Sequence, residues 1–224
     1  MNIQAIRSAP PYREAALCEL FTSSRDAAGI GFVLARLGAA GTANKPILWA
    51  QDRMTLLELG SPSPRGLAGW GVAPDMIRVC VSRTADLLWT MEEGLKCADV
   101  SAVVGEVWGD APALGFTATK RLMMRAEKSG IPAWLIRVNG SADLSAAGER
   151  WRVQALPSAP HPYDTRAPGD PRWSAELFRA RWRKPGEWAE RYNVAAHRLH
   201  LDSAPADRAL AAVSSPEWKR RAAG

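Results

Sequence analysis

The residues best placed for chemistry lie at the end of one apolar run, Asp99-Val-Ser-Ala-Val-Val-Gly-Glu106-Val-Trp108. A brief β-branched run that does not alternate with polar residues predicts a buried parallel strand over 101–107. In a phosphate-binding α/β fold, an acid at the carboxyl end of such a strand faces the ligand crevice and can hold a hydrated Mg²⁺. Glu106 is the one carboxylate with that placement; the competing reading is a strand-end glutamate facing solvent. A phosphate cradle upstream would decide between them. Its place is between the first apolar segment and the first helix, at Thr22, Ser23, Ser24, Arg25 and Asp26. A working phosphate loop needs glycines that bring backbone N–H groups to the phosphates and a lysine that neutralises their charge. This stretch has neither, the chain holds no GxxxxGK[ST] motif, and Asp26 sets a negative charge against any phosphate. Glu106 therefore stands as a Walker-B-like acid beside a degenerate Walker A, and the expectation is no cofactor and no enzymatic activity.

Other catalytic patterns are absent: no GxSxG elbow, no HExxH, and no GxGxxG after a strand. Glu92 and Glu93 are neighbours on a helix and point in different directions, so they form no acid–base couple. Cys18, Cys80 and Cys97 are scattered, an odd set that argues against a disulfide framework. His197 and His200 could share a helix face, but no acid or thiol joins them, and no metal site is expected. The second informative feature is basic and aromatic. Arg150, Arg152, Arg172, Arg179, Arg181, Arg183 and Lys184 are interleaved with Trp151, Trp173, Trp182 and Trp188. In extended chain Arg150 and Arg152 share one face, and Arg179, Arg181 and Arg183 another. Arginine rows of this kind can track a phosphate backbone or meet an acidic partner. The alternative is a solubilising outer sheet face with tryptophans packed beneath. A net charge of +6 and ten tryptophans suit both.

The elements that must position these groups follow from the hydrophobic pattern. A compact apolar segment over Glu14–Phe21 is a short strand or a helical turn. A helix over Ala27–Leu37, with Ile30, Val33, Leu34 and Leu37 inward, precedes a strand over Lys45–Ala50. A short helix over Leu67–Gly71 leads to strand Met76–Val81. Thr84 then caps a helix with Leu87, Leu88, Met91 and Leu95 on its buried stripe. After the 101–107 strand come a helix through Lys128, with Leu122, Met123 and Ala126 inward, and a strand over Ala133–Arg137. This alternation predicts an α/β fold with a mostly parallel sheet and right-handed crossovers. Period-two runs at 150–156 and 172–182 predict two antiparallel strands on the sheet edge. The expected organisation is a tail over 1–13, one domain over 14–190, and a mobile or loosely docked tail over 191–224. No apolar run approaches the roughly 18–20 residues that span a bilayer, and the first residues lack a signal-peptide core, so the expected location is the cytoplasm.

In this order the parts resemble the ImuA family, RecA-like inducible mutagenesis proteins of bacteria. The resemblance covers about Glu14 to Trp188. It rests on Glu19-Leu-Phe21, Pro46-Ile-Leu-Trp49, Thr84-Ala-Asp-Leu-Leu-Trp-Thr-Met-Glu-Glu-Gly-Leu95, Ala102-Val-Val-Gly-Glu106, Thr119-Lys-Arg-Leu122, Arg150-Trp-Arg-Val153 and Pro171-Arg-Trp-Ser-Ala-Glu-Leu177. It implies a RecA-like, P-loop-type domain with added antiparallel C-terminal strands. It also implies a role in the SOS-type DNA damage response, with ImuB, an error-prone DNA polymerase and RecA as partners in translesion synthesis. The resemblance puts Glu106 at the Walker-B position and Thr22–Asp26 at the Walker-A position. The expectation is a non-catalytic adaptor whose contacts with partners, and with DNA as a further candidate, lie at Arg150, Arg152, Arg172, Trp173, Arg179, Arg181, Trp182, Arg183 and Lys184. The alternatives are an ATP-dependent accessory of RecA recombination and a sequence-tolerant DNA-binding module.

Overall fold

From Leu17 to Val138 the chain alternates short apolar runs with amphipathic ones, and most of these runs fold to the element their period dictates. The computed structural model describes residues 17–39, 45–72, 75–164 and 166–202. The strands are β1 (Leu17–Thr22), β2 (Ile47–Asp52), β3 (Met76–Val81), β4 (Ala102–Trp108), β5 (Ala133–Val138), β6 (Glu149–Leu156), β7 (Arg172–Ala180), β8 (Gly186–Asn193) and β9 (Arg198–Asp202). The helices are α1 (Ala28–Ala39), α2 (Arg53–Leu59), α3 (Pro64–Ala68), α4 (Thr84–Gly94) and α5 (Phe116–Ser129). All strands join one sheet in the order β3-β2-β4-β5-β1-β6-β7-β8-β9.

The order explains the composition. β1, β2, β4 and β5 lie inside the sheet with helices on both faces, so nearly every side chain in them is buried. One face packs against α1, α2 and α3 through Phe32, Leu37, Trp49, Leu67, Trp134 and Trp151. The other packs against α4 and α5 through Leu87, Met91, Leu122, Met123 and Leu135. Close approach sets two glycines. A Cβ on Gly105 would lie 2.4 Å from Met91 Sδ, and one on Gly29 would lie 2.9 Å from side-chain carbons of Leu20 and Thr22. A side chain at either would force the neighbouring side chains to shift.

The C-terminal part departs from expectation in its pairing. β6 runs parallel to β1, and only β7, β8 and β9 are antiparallel. Residues 139–148 carry the chain from the end of β5 past β1 to the start of β6. The sheet also continues past residue 190, the expected domain end, through β8 and β9 to Asp202. The expected tail over 1–13 and the remainder of the expected C-terminal tail, 203–224, lie outside the described residues. α2 went unpredicted because its exposed face carries Met54 and Leu57, which blur the helical period.

Candidate functional site

The loop after β1 is where a phosphate would sit on the N-terminus of α1. Here the protein supplies its own anion. Asp26 Oδ1 accepts from the Ala28 N–H at 2.8 Å, and Asp26 Oδ2 accepts from the Ala155 N–H of β6 at 2.8 Å. Three further loop amides are also taken. Ser24 N–H donates to Asn139 Oδ1 at 3.0 Å, Arg25 N–H to Ser23 Oγ at 3.2 Å, and Asp26 N–H to the Ser23 carbonyl at 3.1 Å. Asn139 completes the lock: it adopts φ 55°, which asparagine tolerates, and its Nδ2 donates to Ser24 Oγ at 3.0 Å. The Thr22 hydroxyl donates to the Asp26 carbonyl. A cleft over this loop is lined by Thr22, Ser23, Asp26, Asn139 and Arg152. Its one cation, Arg152, pairs with Glu176 at 3.0 Å and lies 4.1 Å over the Phe178 ring.

Glu106 stands at the expected strand end but does not face that cleft. It is fully buried, and Gln51, its cross-strand partner on β2, donates through Nε2 to Glu106 Oε2 at 2.7 Å. The same Gln51 Nε2 reaches the Gly60 carbonyl at 2.9 Å. Burial pushes the Glu106 carboxyl up to about 7; the Gln51 amide and Trp49 indole oppose that shift, and the Asp52 carboxylate adds to it. Asp52 is itself committed to structure: Oδ1 caps α2 at the Thr55 N–H and Oδ2 accepts from the Trp108 N–H, both at 2.7 Å. The strand-end acid and the loop 22–26 therefore do not converge on one opening.

The basic-aromatic set is divided by the fold. Trp173 is buried, edge-on to Phe32 and stacked with Trp70. Arg150 is buried too, its Nε donating to Glu19 Oε2 at 2.7 Å, with Arg137 on the far side of the same carboxylate at 4.0 Å. Arg183 and the Trp182 indole both bond the buried Glu149 carboxylate, at 2.7 and 3.1 Å. Arg183 thus belongs to the fold, and the expected row of Arg179, Arg181 and Arg183 does not form, because β7 ends at Ala180. Arg172 lies half-buried opposite Arg191. Exposed at the surface remain Arg152, Arg179, Arg181 and Lys184. Among the described residues Arg179 and Lys184 carry no ion pair, while Arg181 pairs with Glu127 of α5 at 3.3 Å.

That last contact leads to residues the sequence reading missed. The outward side of α5 presents Lys120, Arg121, Arg125 and Lys128 around Met124, which is 59% exposed. Positions 116, 120, 124 and 128 recur at i, i+4 and form one ridge, so two large apolar residues, Phe116 and Met124, on the ridge opposite Leu122, Met123 and Ala126 were a legible signal. Among the described residues no group of three or more His, Cys, Asp or Glu could hold a metal, and no helix is long and apolar enough to cross a membrane.

No family model matches the chain. Two curated proteins named Protein ImuA, from Caulobacter vibrioides strains NA1000 / CB15N and ATCC 19089 / CIP 103742 / CB 15, are each 35% identical to it over 164 residues. The chain is ImuA-like. The match covers 67% of this chain and 65% of each relative, so the ImuA-like chain spans just under two thirds of their length. Among solved structures, the RadB recombinase superposes with a TM-score of 0.54 at 15% identity, covering 84% of this chain and 91% of that one. That likeness establishes the RecA/RadB-like fold of the ImuA-like chain: a mixed, mostly parallel sheet with flanking helices and antiparallel C-terminal strands.

Proposed function

We propose that this chain is a non-catalytic adaptor of damage-induced mutagenesis, supporting error-prone translesion synthesis through protein contacts. The ImuA likeness and the RecA-like fold support the mutagenesis role. The observation that carries the non-catalytic part is the Asp26 carboxylate on the N-terminus of α1, in the place of a bound phosphate. A nucleotide would have to displace an anion tied to both α1 and β6, and no lysine stands ready to neutralise the incoming charge. Buried Glu106, held partly protonated at neutral pH, is equally unsuited to hold a hydrated Mg²⁺. The proposed partners are ImuB, an error-prone DNA polymerase and RecA.

Two measurements test this reading. Calorimetric titration of the full chain with Mg-ATP should show no saturable binding. Affinity capture from DNA-damaged cells, with nuclease treatment, should recover the mutagenesis proteins. Tight Mg-ATP binding that Glu106→Gln abolishes would support an ATP-dependent accessory of recombination instead. A sequence-tolerant DNA-binding module would instead show an affinity that falls steeply with salt when no protein partner is present.

A further inference from the structure

The surface where α5 meets the end of β7 combines exposed apolar side chains with exposed cations. A groove of about 340 Å³ runs between them, with Met123 at its floor, Phe116 and Met124 on one wall, and Arg179 and Arg181 on the other. Phe116 is 43% exposed and Met124 59%, and Leu144 nearby in the chain crossing to β6 is 67% exposed. Met124 also borders an adjoining depression lined by Glu92, Arg121, Arg125 and Lys128. The two depressions thus share one exposed methionine and are ringed by Lys120, Arg121, Arg125, Lys128, Arg179 and Arg181. Among the described residues lining the two depressions only Glu92 and Glu127 oppose these cations, and each already pairs with one of them, Arg121 and Arg181.

We infer that this surface is the docking site for an acidic peptide segment of a partner protein, carrying at least one bulky apolar side chain. The inference rests on the adaptor reading and names the chemistry of the partner that reading requires. An apolar centre with a charged rim is the anatomy of a protein interface. Methionine and phenylalanine supply an adaptable floor for an aromatic or aliphatic anchor. The cationic ring fixes the sign of the partner's flanking residues and speeds encounter. Duplex DNA fits less well: the groove admits side chains rather than a backbone, its exposed centre is apolar, and Glu127 stands among the cations that would meet phosphates.

The test uses the full chain as bait for a phage library of random peptides. Selected sequences should be rich in Asp and Glu around a Phe, Trp, Leu or Ile. Their affinity should fall about tenfold or more in the double variant Lys120→Glu/Arg179→Glu, which alters exposed side chains, with circular dichroism checking the fold. Arg53→Glu/Arg65→Glu, on the helices of the opposite sheet face, makes the same change in net charge and should leave affinity within about twofold. Peptides without acidic enrichment, or equal loss in both double variants, would overturn the assignment. So would loss of single-stranded oligonucleotide binding, without loss of peptide binding, in the α5/β7 variant. Affinity capture from damaged cells separates the two levels. If the α5/β7 variant recovers the mutagenesis proteins as well as the parent, the site is wrong and the adaptor reading survives. If the parent recovers none, the adaptor reading itself fails.

Discussion

Replacing Glu106 by Gln should stabilise the protein at alkaline pH, and by an amount the structure allows to be worked out. The Glu106 carboxyl is raised from 4.5 to about 7, chiefly because burial disfavours its ionised form. Between those two values the native state holds a proton that the unfolded chain has released, so stability declines as pH rises through the interval. Below it both states are protonated and the group contributes no difference. Above about pH 7 the folded protein bears the whole cost, roughly 2.5 pH units at 1.36 kcal/mol each, or about 3 kcal/mol. Glutamine keeps an oxygen for the Gln51 amide and never ionises. The stability of Glu106→Gln minus that of the parent should therefore grow by about 3 kcal/mol between about pH 4.5 and pH 8, while every other titrating group cancels in the difference. Urea unfolding by circular dichroism measures it, as a midpoint separation that widens by about 1 M or more. Parallel stability–pH curves for the two proteins would refute the argument, because they would mean that Glu106 is ionised and well solvated at neutral pH. That is the state a metal-holding acid requires.

Further outcomes follow from the other buried and capping groups. Asp26→Ala removes both the α1 cap and the link to β6, and should cost about 1–2 kcal/mol in urea unfolding; an unchanged midpoint would show that the loop is held by other contacts. Glu19→Ala strands Arg150 in the interior and should cost about 3–5 kcal/mol, read as a large drop in Tm, while Arg137 keeps its pair with Asp110 at 3.1 Å. Arg152→Ala breaks a half-exposed pair with Glu176 and should change stability by less than about 1 kcal/mol, so its Tm should stay near that of the parent.

The parallel core was legible because its strands are short, apolar and bounded by turn residues, as in Ala102–Trp108, and because Leu87, Leu88 and Met91 keep a helical period. The lack of glycine and lysine over 22–26 is a property of residue types alone. Pairing was not legible. Arg150-Trp-Arg-Val alternates as any half-exposed strand does, and nothing in that alternation says whether its neighbour runs parallel or antiparallel. Arginine burial was hidden for a related reason. Arg150 and Arg183 look like surface residues until the distant carboxylates of Glu19 and Glu149 arrive beside them. Tryptophan number misled in the same direction: Trp151 and Trp173 fill the space around Phe32, and a core use of an aromatic has the same one-letter signature as a stacking platform. The α5 ridge was legible in principle, since a Met and a Phe at outward helical positions are visible once the inward stripe is fixed.

On the proposed adaptor reading, the loop after β1 takes over part of what a bound phosphate does. In a phosphate-binding fold the ligand's negative charge satisfies the N–H groups at the start of the helix, and binding adds stability by mass action. Here one oxygen of the Asp26 carboxylate accepts from the Ala28 N–H, and its second oxygen fastens β6 to the loop. On that reading the Ala28 N–H at the helix start already has an acceptor, which Mg-ATP would have to displace. A thermal scan of the full chain should show a Tm that does not move with Mg-ATP concentration. A rise of several degrees would show that the loop opens and that the ligand outcompetes Asp26 for α1, which would reverse the functional reading as well as the structural one.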